Sequence, residues 1–385
     1  MQSLVTKIQA YLESKKQEQL HLLIQICNQN SYSFNRDGAN KVANMILENL
    51  NSILPIHEVD LQQKFADHHI LRTNRQKKNI YLVGHIDTVF PPDHPFQSCH
   101  IKNDILYGPG TGDMKGGLTV IIYALKALHH IGFLHDLPIS IIFNSDEEAG
   151  SQTSFALFER ERQNALICLV AECAGLKNEI VISRNGKLGA RIKSYGKARH
   201  VGSGTHHKSS AILEMAHKII ALEALNNAVP DFSLNVGKME GGLGPATVPS
   251  LASCYIDMRW KEEGHKNIIL EKIQNILIKN SQPQCYSEIE ILNSRPTMPF
   301  TGVSSEIIAL MQQTGKDHDQ KIPTEHRRGS SDANFFGSID IPTLDGLGPI
   351  SGNDHTENEY IKISSLYERT ILLSIFILKY LKIVQ

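Results

Sequence analysis

Three short runs of almost uninterrupted apolar, β-prone residues (79–84, 137–144 and 165–171) each stop at a histidine or a carboxylate, with helix-spaced segments at 116–130 and 151–162 between them. An apolar run of that length has the size of a strand buried on both faces, whereas apolar residues recurring at three and four mark a helix with one buried stripe. Strands alternating with helices predict an α/β fold, a parallel or mixed sheet flanked by helices on both faces. Helical spacing at Leu20, Leu23, Ile24 and Ile26, and again at Val42, Met45, Ile46 and Leu50, predicts two further helices near the start, separated at Asp37-Gly38.

After Gly186 the texture changes. Segments 190–195, 233–239 and 251–260 read as strands, and 209–226 and 267–279 as helices, which together describe a smaller α+β domain. Past Arg295-Pro296 the helix and strand pattern returns, with a helix opening over 329–336 and a strand ending at 343–345. A chain of 385 residues has room for two to three domains. The expected organisation is a catalytic domain in two segments, 1–185 and 297–385, interrupted by an inserted domain at 186–296.

Charge narrows the function classes. Lys plus Arg number 39 against 40 Asp plus Glu, a net charge of −1, so there is no cationic excess to meet a phosphate backbone or an anionic membrane. The apolar run 371–378 falls far short of the ~20 residues that span a bilayer. Lys7, Glu13, Lys15, Lys16 and Glu18 interrupt the first thirty residues, so no secretory core can be drawn and a cytoplasmic location is expected. Six cysteines without a C-x-x-C pair read as reduced, mostly core thiols. Histidine pairs at 68–69, 129–130 and 206–207 lie outside the motifs below and are expected to be exposed.

The chemistry gathers where apolar runs end: His85-Ile86-Asp87, Asp113 in a glycine loop, Asp146-Glu147-Glu148, and Glu172. In open α/β sheets ligands collect beyond the carboxyl ends of the strands, so these groups can converge despite their separation in sequence. Imidazole with carboxylates suits zinc, manganese or cobalt, and one carboxylate can bridge two cations. The glycines at 108, 110 and 112 do not spell the G-x-G-x-x-G of a nucleotide loop.

Eight motifs in order carry a resemblance that spans nearly the whole chain. They are Gly84-His85-Ile86-Asp87-Thr88-Val89, Gly108-Pro109-Gly110-Thr111-Gly112-Asp113-Met114-Lys115-Gly116-Gly117, Asn144-Ser145-Asp146-Glu147-Glu148, Ala171-Glu172, Gly196-Lys197-Ala198-Arg199-His200, Asp257-Met258-Arg259, Gly329-Ser330-Ser331-Asp332-Ala333 and His355-Thr356-Glu357-Asn358-Glu359-Tyr360. Together they resemble the two-zinc peptidase family of aminoacylase, acetylornithine deacetylase and glutamate carboxypeptidase. The resemblance implies two Zn²⁺ per chain, with Co²⁺ or Mn²⁺ as substitutes. It implies His85, Asp113 and Glu172 on one ion and Asp113, Glu148 and His355 on the other, with Asp113 as the bridge. Asp87 would orient His85, and Glu147 would carry the proton between water and the leaving amine. His200, in the inserted lid and dimerisation domain, would donate to the oxyanion in a partner subunit's site, so a homodimer is expected. Arg259 would grip a substrate carboxylate, Arg295 would lie near an acidic side chain, and Gly329 and Ser330 would be further substrate-binding positions. Thr247 stands where the family has an asparagine.

The expected activity is release of a C-terminal amino acid, glutamate-like, from a peptide or N-acyl amino acid. An N-acyl-amino-acid deacylase of the acetylornithine deacetylase or succinyl-diaminopimelate desuccinylase type is the alternative on the same residues. The spellings around 143–148, 294–296 and 344–348 lean towards the carboxypeptidase branch. A catalytically silent binding protein on the same fold is a third possibility, but Glu147 and all five ligand positions are occupied by competent residues.

Overall fold

A computed structural model describes residues 2–74, 78–203, 208–228 and 230–384. The strand Asn79–His85 is buried at all seven positions, because it runs parallel to Ile139–Asn144 on one side and Ala165–Val170 on the other. These three, with the strand 68–72, are the inner strands of a six-stranded sheet in the order 56–60, 68–72, 139–144, 79–85, 165–170, 343–344. The strand His68–Arg72 pairs antiparallel with both of its neighbours, which makes the sheet mixed.

Side chains on a strand alternate between faces. Ile80 and Leu82 therefore share one core with the long helices Gln2–Asn28, Gly116–His130 and Ile363–Val384. Tyr81 turns to the opposite face, where its ring lies 5.7 Å from Phe336 and the short helices Ser154–Glu161 and Ala333–Gly337 bring Phe158 and Phe335 together at 5.3 Å. Each fully buried side chain of the Leu82 kind contributes roughly 1.5–3 kcal/mol, and its burial seats the strand ends that carry the acids.

The chain divides into two compact units. The larger comprises Met1–Ser183, Phe300–Arg327 and Ser331–Gln385; the smaller comprises Arg184–Pro299 with Arg328–Ser330. The smaller unit has a four-stranded antiparallel sheet in the order 232–241, 251–260, 186–195, 286–295. Its strand Gly186–Tyr195 alternates strictly between buried and half-buried residues. The helices Ala211–Glu223 and Gly264–Leu277 supply Met215, Leu222, Ile269 and Ile273 to its core around Trp260.

Three expectations are corrected. Asp37-Gly38 does not separate the first two helices: the break lies before Asn35, whose side chain accepts the Gly38 N–H and starts the helix Arg36–Leu50. Gly38 sits in the first turn, where a Cβ would stand 2.3 Å from the Asn30 carbonyl oxygen, so the glycine serves a close approach rather than a turn. The helix expected from residue 329 starts at Ala333, because the Ser331 hydroxyl accepts the Ala333 N–H and the Asn334 side chain accepts the Ser331 N–H. His68 and His69 are buried, not exposed: His68 bonds Thr153 at 2.8 Å, and His69 stacks on Phe143 and bonds His57 at 2.9 Å. The expectation for His206-His207 falls outside the described residues. All six cysteines are free, five of them buried. Among the described residues no helix is long and apolar enough to cross a membrane.

Candidate metal centre

His85 is the last residue of its strand and wholly buried. Its Nδ1 lies 3.1 Å from the Asp87 carbonyl oxygen and 3.3 Å from Asp87 Oδ1. Both neighbours only accept, so Nδ1 carries the proton and the Nε2 lone pair is the one available to a cation. Nε2 stands 3.0 Å from Asp113 Oδ1 and 3.6 Å from Glu172 Oε1. Glu172 comes two residues beyond the strand Ala165–Val170, and its carbonyl oxygen accepts the Gly348 N–H at 2.8 Å.

Asp87 is fully buried and joins two segments. Oδ1 accepts the Glu147 N–H at 3.2 Å, while Oδ2 accepts the Glu148 N–H at 3.1 Å and the Ser33 hydroxyl at 2.7 Å. One carboxylate thus orients the His85 ring and fixes the backbone that carries Glu147 and Glu148. Glu148 Oε1 lies 3.1 Å from His355 Nε2, which is also 3.1 Å from Asp113 Oδ2. His355 adopts φ 63°, in the left-handed region, within the loop between the short strands Ser351–Gly352 and Tyr360–Lys362.

Asp113 belongs to the glycine loop that leads into the helix Gly116–His130, and the Asp113–Met114 peptide is cis. Gly110 turns this loop at φ 73°, a conformation glycine takes at no steric cost. Buried Glu359 receives the amides of Gly110 at 3.2 Å, Gly112 at 2.8 Å and Asp113 at 3.1 Å. The structure thus brings His85, Asp87, Asp113, Glu147, Glu148, Glu172 and His355 together in the larger unit.

The electrostatics are those of a donor set short of positive charge. Burial, reinforced by the Asp113 charge, pushes Glu172 up to about 8 and Glu148 well above the usual carboxylate range. Burial works against ionised Asp113 as well, but hydrogen bonds from His355 and His85 outweigh it and hold that carboxyl well below its ordinary value. Hydrogen bonds to Asp113 and Glu148 raise His355 to about 11, and His85 is held high by Asp113, Asp87 and Glu172 despite its burial.

Divalent cations fit this set. Donor atoms of His85, Asp113 and Glu148 all lie within 4.8 Å of one another. Two ligands each about 2.0–2.2 Å from a tetrahedral zinc stand roughly 3.3–3.6 Å apart, close to the 3.0 and 3.6 Å that separate His85 Nε2 from Asp113 Oδ1 and Glu172 Oε1.

His200, Arg259, Arg295, Gly329 and Ser330 belong to the smaller unit. His200 is exposed on the two-residue strand Arg199–His200, and its Nδ1 accepts the Gly202 N–H at 3.0 Å. The segment 328–330 is held by three arginines of its own unit. Arg259 donates to the Arg328 carbonyl at 3.3 Å, Arg184 to the Gly329 carbonyl at 2.9 Å, and Arg295 to the Ser330 hydroxyl at 3.5 Å. Arg259 also pairs with Asp257 at 2.8 Å.

Sequence reasoning gave no role to Ser33 or Glu359. Ser33 carried no signal, since a lone serine between two helices looks like any loop residue. Glu359 lay inside a recognised motif, and its four-residue spacing from His355 was the available clue.

The chain is similar to several known proteins. Carboxypeptidase G2 of Pseudomonas sp. (strain RS-16) is 24% identical over 302 residues, covering 77% of this chain and 72% of the relative. Succinyl-diaminopimelate desuccinylase of Coxiella burnetii (strain RSA 331 / Henzerling II) is 25% identical over 391 residues, covering 93% of this chain and all of the relative. Among solved structures, the M20 family metallo-carboxypeptidase Sso-CP2 from Sulfolobus solfataricus shares the fold with a TM-score of 0.76 at 20% identity, covering 94% of this chain and 98% of its own. The sequence pattern of Peptidase family M20/M25/M40 matches residues 81–379, a stretch that holds every residue of the metal-type cluster, and the chain belongs to that family of metal-dependent hydrolases.

Proposed function

We propose that this protein is a metal-dependent exopeptidase that hydrolyses an amide bond to release a C-terminal, glutamate-like amino acid from a peptide or N-acyl amino acid. The observation that carries the reading is the convergence of His85, Asp113, Glu148, Glu172 and His355 with Glu147 on a backbone anchored by Asp87. His85, Asp113 and Glu172 would hold one Zn²⁺, and Asp113, Glu148 and His355 a second. When bound, such ions polarise the scissile carbonyl and acidify the attacking water.

The remaining steps belong to the side chains. Glu147, not itself in the ligand set, takes the proton of the attacking water on a carboxylate oxygen and returns it to the leaving nitrogen. Asp87 keeps His85 in the tautomer that presents Nε2. His200 accepts on Nδ1 from Gly202, so its Nε2 carries the proton and can donate to a developing oxyanion. We assign that donation to the site of a partner subunit in a homodimer, with the smaller unit as lid and dimerisation domain. Arg259 and Arg295 supply two guanidiniums suited to bidentate carboxylate binding, with Gly329 and Ser330 on the segment they hold.

Full-length coverage of the Coxiella burnetii relative favours a second reading, N-acyl-amino-acid deacylation of the desuccinylase type on the same centre. The two separate on a panel of N-acyl amino acids and dipeptides assayed with added zinc. A carboxypeptidase requires the free α-carboxylate of the released residue, and amidating it abolishes turnover. A desuccinylase instead depends on the succinyl carboxylate, and selectivity governed by the acyl group alone would overturn the primary reading.

A further inference from the structure

The loop that carries Asp113 is held from beneath by one buried side chain. Oε1 of Glu359 takes the Gly112 and Asp113 amides at 2.8 and 3.1 Å, and Oε2 takes the Gly110 amide at 3.2 Å. Its carbonyl oxygen takes a fourth N–H, that of Gly108, at 3.2 Å. The residue is 1% exposed and its carboxylate sits close enough to Asp113 to feel its charge. Burying a carboxylate near another carboxylate is costly unless it is fully hydrogen-bonded. A carboxyl group has acceptor lone pairs on both oxygens for all three converging side-chain bonds, whereas an amide would turn a donor towards one of them.

Glu359 and His355 share one short turn. The Thr356 N–H bonds the Asn353 carbonyl and the Glu359 N–H bonds the Thr356 carbonyl, both at 3.1 Å, while Tyr360–Lys362 pairs with Ile105–Tyr107 at the head of the glycine loop. Asp113 is therefore gripped twice by the same turn: through its backbone N–H by Glu359, and through Oδ2 by His355 at 3.1 Å. The result is a closed ring of contacts that fixes the Asp113 carboxylate without using either of its oxygens on Glu359.

We propose that Glu359 is a positioning residue for metal binding: by gathering the amides of Gly110, Gly112 and Asp113 it sets the direction of the Asp113 carboxylate and locks it in register with His355. The inference rests on the metal-centre reading given above, with Asp113 as a ligand. Its predicted consequence is that affinity for divalent cations depends on a residue that is not itself a ligand.

The test measures zinc and cobalt affinity of full-length Glu359→Gln, Glu359→Ala and Asp113→Asn by competition with a chromogenic chelator, with the visible absorption of the Co²⁺-loaded proteins recorded in parallel. Loss of an outer hydrogen-bond partner of a ligand costs ~10–100-fold in metal affinity, so Glu359→Gln is expected at the low end and Glu359→Ala at the high end. The Co²⁺ spectrum should shift, and the substrate KM measured with excess metal should stay at its wild-type value, because the side chain is buried beneath the loop. If Glu359→Ala does not fold, Glu359→Gln decides the matter, since it preserves size. If Asp113→Asn loses metal while the Glu359 variants match the wild type in affinity and spectrum, the positioning role is overturned and the centre stands. Wild-type affinity in Asp113→Asn overturns the metal-centre reading, and the Glu359 inference with it.

Discussion

Replacing Asp87 by asparagine isolates the contribution of a single buried carboxylate to the centre. Its two oxygens serve four partners: Oδ1 faces the Glu147 N–H at 3.2 Å and His85 Nδ1 at 3.3 Å, and Oδ2 faces the Glu148 N–H at 3.1 Å and the Ser33 hydroxyl at 2.7 Å. If the new NH₂ takes the place of Oδ1, both the Glu147 amide and the ring proton lose an acceptor. If it takes the place of Oδ2, the Ser33 hydroxyl can rotate to accept from it and only the Glu148 amide is stranded. The second arrangement therefore wins. One buried backbone N–H without a partner costs about 1–3 kcal/mol. Because the stranded amide belongs to Glu148, a member of the donor set, the cost falls on the arrangement that receives the cations. At about 1.4 kcal/mol per factor of ten, it corresponds to roughly 5- to 150-fold in affinity, which overlaps the range expected for an outer partner of a ligand. Chelator competition on Asp87→Asn reads the affinity, and urea denaturation of the metal-stripped protein reads the stability. If affinity and stability both equal those of the wild type, the argument that Asp87 organises this centre fails.

Glu147→Ala removes the assigned base and no ligand, so bound zinc should persist while turnover falls by ~10²–10⁴-fold; a variant that keeps near-normal turnover with metal bound would require another base. Mixing inactive His200→Ala subunits with inactive Glu147→Ala subunits should restore activity, because some sites in a mixed dimer pair an intact Glu147 with a partner's intact His200. Persistent inactivity despite demonstrated subunit exchange would place His200 in its own chain's site or nowhere. His69 offers a stability test remote from catalysis. Burial and the neighbouring His57 hold it down at about 4, so between that value and its ordinary pKa near 6.5 the unfolded chain binds the proton and the folded one does not. Stability should therefore fall as pH drops through this window, with a slope of up to about 1.4 kcal/mol per unit. His69→Phe should flatten that part of the urea-denaturation profile, and an unchanged slope would refute the assignment.

The elements most legible in the amino-acid order are those whose residues all meet one environment. Asn79–His85 and Ile139–Asn144 are buried at every position, and Gly116–His130 is framed by a glycine pair at its start. The strand Ile56–Asp60 escaped notice because an edge strand half open to water tolerates polar residues, and its buried neighbour His68–Arg72 because two histidines break its apolar run, one of them satisfied by His57 on the edge strand. His85, Asp113, Glu148 and Glu172 were legible because they gather after apolar runs or in a glycine loop, whereas His355 was legible only through the resemblance carried by the eight motifs. Ser33 and Glu359 act through hydrogen bonds to groups distant in sequence, the first on Asp87 and the second on Gly110, Gly112 and Asp113. Nothing in local composition announces such partners. Asp37-Gly38 misled because turn chemistry and close packing both call for glycine, and only the Asn30 carbonyl beside it decides which applies.

The interruption of the larger unit at residue 183, and its resumption at 300, also has a consequence for synthesis. His85, Asp113, Glu148 and Glu172 all precede the smaller unit, whereas His355 and Glu359 follow it. The ribosome must add 183 residues (355 − 172) between the last of the early donors and His355. At ~5–20 residues per second this takes on the order of 10–40 s. Throughout that interval the nascent chain carries the early acids without the turn that aligns Asp113, so of the two proposed donor sets the one that needs His355 is incomplete. Hydrolytic competence is thereby postponed until the smaller unit has left the exit tunnel, and a polypeptide terminated early would lack both the second imidazole and the clamp beneath the loop.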